Sequence, residues 1–272
     1  MTARTIVITG ASDGIGAAAA RALNRGGDSV VVVGRSREKT GAIAAELGVD
    51  FFVADFAELG QVRSLASELL ARYPRIDVLA NNAGGIMGKR ELTVDGHEKT
   101  FQVNHLAPFL LTTLMIDRLA ESAATVVNTS SGANRFGRID IDDLDLKKKY
   151  SATRAYGNGK LANILFTREL HRRYHAAGIS TAAFHPGVVA TSFASGSSSL
   201  MRLGYTGLLS RFMLTPERGA DTLVWLATTT PGADWQSGEY YEKRAIQRAN
   251  EQANDARLAR ELWERSEAMV AP

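Results

Sequence analysis

Apolar positions along the chain alternate between two patterns. Six short runs, "TIVIT" (5–9), "SVVVVG" (29–34), "DFFVAD" (50–55), "IDVLAN" (76–81), "ATVVNT" (124–129) and "ISTAAFH" (179–185), are almost continuously hydrophobic. Strands buried on both faces read this way. Longer stretches between them, at 16–26, 37–47, 59–73, 97–122 and 155–178, carry helical spacing. Strict strand–helix alternation implies a parallel sheet wrapped by helices on both sides. The expectation is an α/β fold: one doubly wound parallel sheet of about seven strands, forming a single domain over 1–272 with no linker, repeat or low-complexity tract.

Two segments interrupt the alternation. Residues 132–152 read as a polar connection, and 186–216 as a long irregular one that opens with Pro186-Gly187 and ends where a helix starts at 215–228. Long connections inside a compact domain are usually functional or disordered. Within the helix at 155–178, Gly157 and Gly159 each cost about 1 kcal/mol against alanine. Beside them Tyr156 and Lys160, four apart, project from one face.

Composition narrows the function. A net charge of +3 on 272 residues gives no reason to expect a nucleic-acid partner, and the basic runs at 147–149 and 171–175 read as solvated faces. The chain has no cysteine. Disulfides, thiolate metal sites and a cysteine nucleophile are thereby excluded, and a reducing cytoplasm is the expected compartment. Met1 leads into "RTIVITG" without a signal-like apolar core, and no window reaches the roughly 18 apolar residues of a spanning helix. His171 and His175 are four apart but lack the glutamate of H-E-x-x-H; His105 and His185 read as structural, and no metal site is expected.

The first strand runs into "TGASDGIG" (9–16), with glycines at 10, 14 and 16. Small residues here let the backbone approach a pyrophosphate at the N-terminus of the next helix. The same letters satisfy G-x-S-x-G around Ser12, a hydrolase elbow. That elbow needs an earlier loop for its oxyanion hole, and only one strand precedes it. At the end of the second strand stands Gly34-Arg35, with Arg37 following. An acid there would bind the ribose 2′-hydroxyl of NAD, whereas arginine accommodates the 2′-phosphate of NADP. NADP(H) is therefore expected over NAD(H).

With "NNAG" (81–84), "VNTSSG" (127–132), Tyr156-x-x-x-Lys160 and "HPGVVAT" (185–191) following in this order, the chain resembles the short-chain dehydrogenase/reductase family. "QVNHLAPFLLT" (102–112) and "KLANILFTREL" (160–170) resemble its retinol-dehydrogenase-like branch. The resemblance implies a Rossmann-type fold, with 1–130 mainly binding cofactor and 131–272 supplying catalysis and substrate contacts. It implies Tyr156 as general acid/base, Lys160 as its electrostatic partner, Ser131 rather than Ser130 orienting the substrate oxygen, and Asn104 in a proton relay. Cofactor contacts would come from Gly10, Ser12, Asp13, Gly14, Ile15, Gly16, Arg35, Asp55, Phe56, Asn82, Ala83, Gly84, Tyr156, Lys160, Pro186, Gly187, Val188 and Thr191.

Elementary chemistry agrees with these roles. A tyrosine with pKa about 10 needs about 4 kcal/mol in favour of its phenolate to titrate near neutrality. One cation at about 4 Å supplies that much. Gly159 departs from the family, which usually carries serine or alanine there; its missing side chain would let the helix lie close to the cofactor or to a neighbouring element. The run 192–214 holds apolar residues that would line a substrate pocket or form a lid, pack as a core helix, or make a subunit contact. The expected activity joins a nicotinamide to a carbonyl or alcohol, lipophilic in character. Two other readings stand beside it. A non-catalytic NADP(H)-binding regulator commonly loses the tyrosine or lysine retained here, and a dehalogenating relative would carry arginine for Lys160. The insert 132–152 lies beside the helices through which many relatives pair, which leaves homo-oligomer formation open.

Overall fold

The computed structural model describes residues 3–189 and 214–272. Thr191 and the run 192–213 lie outside the described residues. Eight strands form one sheet: β1 (Thr5–Thr9), β2 (Ser29–Gly34), β3 (Phe51–Val53), β4 (Val78–Asn81), β5 (Thr125–Thr129), β6 (Ser180–His185), β7 (Glu239–Glu242) and β8 (Ala245–Ile246). Their order is β3-β2-β1-β4-β5-β6-β7-β8, parallel throughout except for the antiparallel β7–β8 pair. The sheet thus has one strand more than expected and is mixed at one edge. Lys243 and Arg244 turn the β7–β8 hairpin with φ of 52° and 61°. Such turns usually announce themselves by Asn-Gly or Asp-Gly, a signal this sequence lacks.

Helices cover both faces. α1 (Gly14–Arg25) and α2 (Arg37–Leu47) lie on one side with α8 (Pro216–Thr228), enclosing a core of Ile6, Ile8, Val30, Val32, Leu23 and Leu223. The opposite core gathers Val7, Leu79, Val126, Leu65 and Leu165 under α3 (Leu59–Arg72), α5 (Ala107–Leu114) and α7 (Ala152–Tyr174). Strand order reverses between β1 and β4, so the crevice outside their carboxyl ends is where such sheets bind ligands.

The stretch predicted as one helix at 97–122 is broken. It runs as α4 (Lys99–Phe101), a π-helical turn (Gln102–Leu106), α5, and α6 (Ile116–Glu121) beyond Met115. Inside the π turn Asn104 donates through Nδ2 to the Thr100 carbonyl at 2.8 Å and to Gly85 O at 2.8 Å, and accepts from Gly85 N at 3.2 Å. Polar insertion of this kind opens the helical ladder.

The insert 132–152 is less polar in effect than its letters suggest. Ile139 and Leu144 anchor it in the core beneath two 3₁₀ turns, Gly132–Phe136 and Ile141–Asp143. Across it lies the C-terminal helix α9 (Ala256–Met269), whose Trp263 packs 5.0 Å from the Phe109 ring and 5.7 Å from Phe166.

Candidate active site

The glycine loop closes the reversal point between β1 and β4. Gly10 and Gly14 have φ of +65° and +54°, the left-handed region that favours glycine. A Cβ on Gly10 would stand 2.8 Å from Ala83 Cα, and one on Gly16 only 2.3 Å from Gly10 O. Asn82 clamps the two strand ends, its Nδ2 donating to Thr9 O at 2.9 Å, while Thr9 Oγ1 accepts from Asn82 N and Ala83 N at 3.0 Å each. Asp13 caps α1, accepting from Gly14 N at 2.7 Å. A glycine-walled hollow at a helix N-terminus fits a dinucleotide pyrophosphate.

From this loop a cavity of about 1050 Å³ extends along the carboxyl ends of the strands. Gly10, Ser12, Asp13, Gly14, Ile15, Gly16, Arg35, Asp55, Phe56, Asn82, Ala83, Gly84, Pro186, Gly187 and Val188 all line it. Arg35 is exposed at its β2 end, next to Ser36, which caps α2. Arg37 turns instead over the Phe51 ring, 5.9 Å from its centroid.

At the far end Ser131, Tyr156 and Lys160 share the cavity wall. The two serines differ in what their hydroxyls do. Ser130 is buried and donates to Lys160 O at 2.7 Å, whereas Ser131 accepts from Ala133 N at 3.2 Å and keeps its own hydrogen for another partner. Lys160 Nζ donates to Thr129 O at 3.1 Å and lies 5.5 Å from the centre of the Tyr156 ring. Burial pulls the ammonium down to about 7 from its ordinary 10.5. Asn104 is fully buried behind this wall and does not line the cavity. It stands close to Gly84, where an added Cβ would be 2.6 Å from Asn104 Oδ1 and 3.1 Å from Lys160 Nζ.

The model of the short-chain dehydrogenase family matches residues 4–200. The chain belongs to the short-chain dehydrogenase family. Within it, relatives place the chain in the retinol-dehydrogenase-like branch. It is 37% identical to human retinol dehydrogenase 14 over 99% of this chain and 87% of the relative. A Streptomyces protein named as a candidate daunorubicin C-13 ketoreductase is 44% identical, covering 98% and 92%. Among solved structures, an uncharacterised Mycobacterium paratuberculosis protein superposes with a TM-score of 0.80 at 33% identity, covering 98% of this chain and 93% of that one. A Shigella flexneri protein named as a candidate short-chain dehydrogenase, complexed with NADP, gives 0.66 at 25%, covering 87% and 95%.

Several cavity residues of this family member were not legible in its motifs. Lys39, in the first turn of α2, lines the cavity as well, a placement that depends on where α2 sits. Ile86, Met87, Val103, Phe136 and Thr153 line the other end, brought together only by tertiary structure. His185, read as structural, lines it too. Among the described residues no group of three or more His, Asp or Glu side chains is arranged to hold a metal, and no helix is long and apolar enough to cross a membrane.

Proposed function

We propose that this short-chain dehydrogenase is an NADP(H)-dependent oxidoreductase that interconverts a lipophilic carbonyl compound and its alcohol. The observation that carries the reading is a single cavity running from the glycine hollow and Arg35 to Ser131, Tyr156 and Lys160. Gly10, Gly14 and Gly16 would receive the pyrophosphate, Arg35 and Lys39 a 2′-phosphate, and the bound dinucleotide supplies the hydride.

During reduction negative charge develops on the carbonyl oxygen. Ser131 is suited to donate a hydrogen bond to that oxygen, and Tyr156 to deliver the proton; in oxidation Tyr156 takes it back. A charged Lys160 favours the phenolate left behind. Asn104 fixes the Gly84–Gly85 turn beside the lysine, past which the proton would leave. Its amide hydrogens are engaged by two carbonyls, so a relay would use its Oδ1 or main chain.

Ile86, Met87, Val103, Ala133 and the exposed Phe136 and Val188 support an apolar substrate. So do the retinol and daunorubicin named in its relatives' descriptions. A cytoplasmic location, read from the cysteine-free composition, belongs to the same proposal.

The test is Tyr156→Phe assayed with NADPH against a panel of aldehydes, ketones and lipophilic alcohols. The expected result is a kcat lower by about 10²–10⁴, the usual contribution of a positioned acid/base, with NADPH binding retained. Parental turnover in this variant would remove Tyr156 from the mechanism. Tight NADPH binding by the parent with no turnover on any substrate would favour a regulatory role.

A further inference from the structure

His185 ends β6, with Cα opposite Glu242 of β7, and immediately precedes the loop that continues the cavity wall. Its ring has a near neighbour at each nitrogen. Nδ1 accepts a hydrogen bond from Gly187 N at 3.3 Å. Nε2 faces Gly132, so that a Cβ added there would lie 3.2 Å away. Gly187 has a φ of +84°, in the left-handed region open to glycine. Gly132 directly follows Ser131 and opens the 3₁₀ turn Gly132–Phe136. The neighbouring backbone is tied as well, Ser130 N donating to Phe184 O at 2.8 Å.

We propose that His185 is a positioning residue: its imidazole sets the spacing between the loop carrying Pro186, Gly187 and Val188 and the turn carrying Ser131. The hydrogen bond requires an unprotonated Nδ1, hence a neutral ring with its hydrogen on Nε2. Burial lowers the ring's pKa below the ordinary 6.5. The charges facing it, Glu242 from β7 and Arg135 from the 3₁₀ turn, act in opposite directions. Neutral imidazole is therefore the form present at pH 7. An acceptor at Nδ1 restricts Gly187 in the absence of any ligand, which lowers the ordering cost of binding there.

The activity arm of this inference rests on the oxidoreductase reading, but the loop itself can be followed by dinucleotide binding alone. His185→Ala, His185→Asn and His185→Gln separate the two ends of the ring. Asparagine places Oδ1 where Nδ1 stands and can still accept from Gly187 N. Glutamine reaches toward the Nε2 position and offers nothing at Nδ1. Dissociation constants for NADPH and NADH, measured by fluorescence titration, are the first readout. KM and kcat with a carbonyl substrate are the second, and thermal midpoints are recorded for every variant.

Alanine and glutamine are expected to weaken binding of the preferred dinucleotide about tenfold, the effect of one lost hydrogen bond, and asparagine to recover most of it. The same order is expected in kcat/KM. Binding by the alanine variant equal to the parent, or equal losses in asparagine and glutamine, would overturn the proposal. A parent that binds dinucleotide yet turns over no substrate would defeat the oxidoreductase reading and leave the His185 series decided by binding.

Discussion

Lys160 is 1% exposed, one of the largest side chains the fold buries completely, and it carries the charge expected to act on Tyr156. Burial holds its pKa at about 7 against 10.5 in the unfolded chain. Between those values the unfolded chain binds the proton and the folded one does not, so the lysine destabilises the fold as pH falls. The penalty is fully present below pH 7 and disappears as pH rises toward 10.5. Lys160→Met should therefore raise the thermal midpoint of the dinucleotide-free protein at pH 6, with the gain shrinking steadily to pH 10. Asn163 Nδ2 remains at 3.1 Å to satisfy Thr129 O, which the lysine also contacts. Scanning calorimetry across pH checks this; a gain independent of pH would mean the charge is not what burial penalises. At the cavity's other end, Arg35→Asp should weaken NADPH binding by about a hundredfold or more while sparing NADH, because a carboxylate repels a 2′-phosphate that guanidinium attracts. Titration with both nucleotides decides it. Arg35 was legible because a strand end fixes where the next side chain points. Lys39 was not, since its reach depends on where α2 sits.

At the scale of elements, α7 explains its own glycines. Gly157 is the place where the helix touches the turn after Ser131: an added Cβ would stand 3.0 Å from Ala133 O and 3.1 Å from Gly137 N. Gly137 reciprocates, since a Cβ there would lie 2.6 Å from Gly157 O. Gly159 faces the π turn, where a Cβ would come within 3.1 Å of Asn104 Cβ. The neighbouring element anticipated from the missing side chains is thus two elements, one on each side of Tyr156. Gly157→Ala would gain about 1 kcal/mol in helix propensity, but it drives a methyl against backbone on a fixed turn. A net loss of about 1–2 kcal/mol is expected, as for overpacked cores, read as a lower urea midpoint with unchanged slope. Increased stability would show that the turn yields. The sequence revealed that these glycines were costly; it did not reveal what they touch. Nor did it reveal the π turn. Periodicity over 97–122 is helical on either side of Asn104, and one side chain bonding Thr100 O and Gly85 O is enough to break it.

Across the whole molecule, the parts read most easily from sequence are those whose partners are close in the chain. β1, β2 and α2 match their expected bounds because each strand is flanked by the helix that covers it. The far edge of the sheet and α9 depend on distant contacts. α9 reaches back across the helices beside β5: Trp263 packs on Phe109 of α5 and Phe166 of α7, and His105 Nε2 meets Ser266 Oγ at 2.9 Å. Arg173 lies over the Trp263 ring at 4.7 Å, and Trp263 Nε1 donates to Glu267 at 2.7 Å. This indole is therefore the pin that holds the last helix over α7. Trp263→Ala removes it from a site only 2% exposed, and losses of about 3–5 kcal/mol are usual for such a truncation. Because Trp263 does not line the cavity, the dinucleotide should still bind the fraction that remains folded. Saturating NADPH should then recover part of the lost thermal stability by mass action, about 2.7 kcal/mol at a hundred times the dissociation constant. Thermal unfolding of the variant with and without nucleotide measures both effects. If nucleotide no longer raises the midpoint, α9 contributes to the cofactor site itself, and the division between a covering helix and the cavity it supports would have to be abandoned.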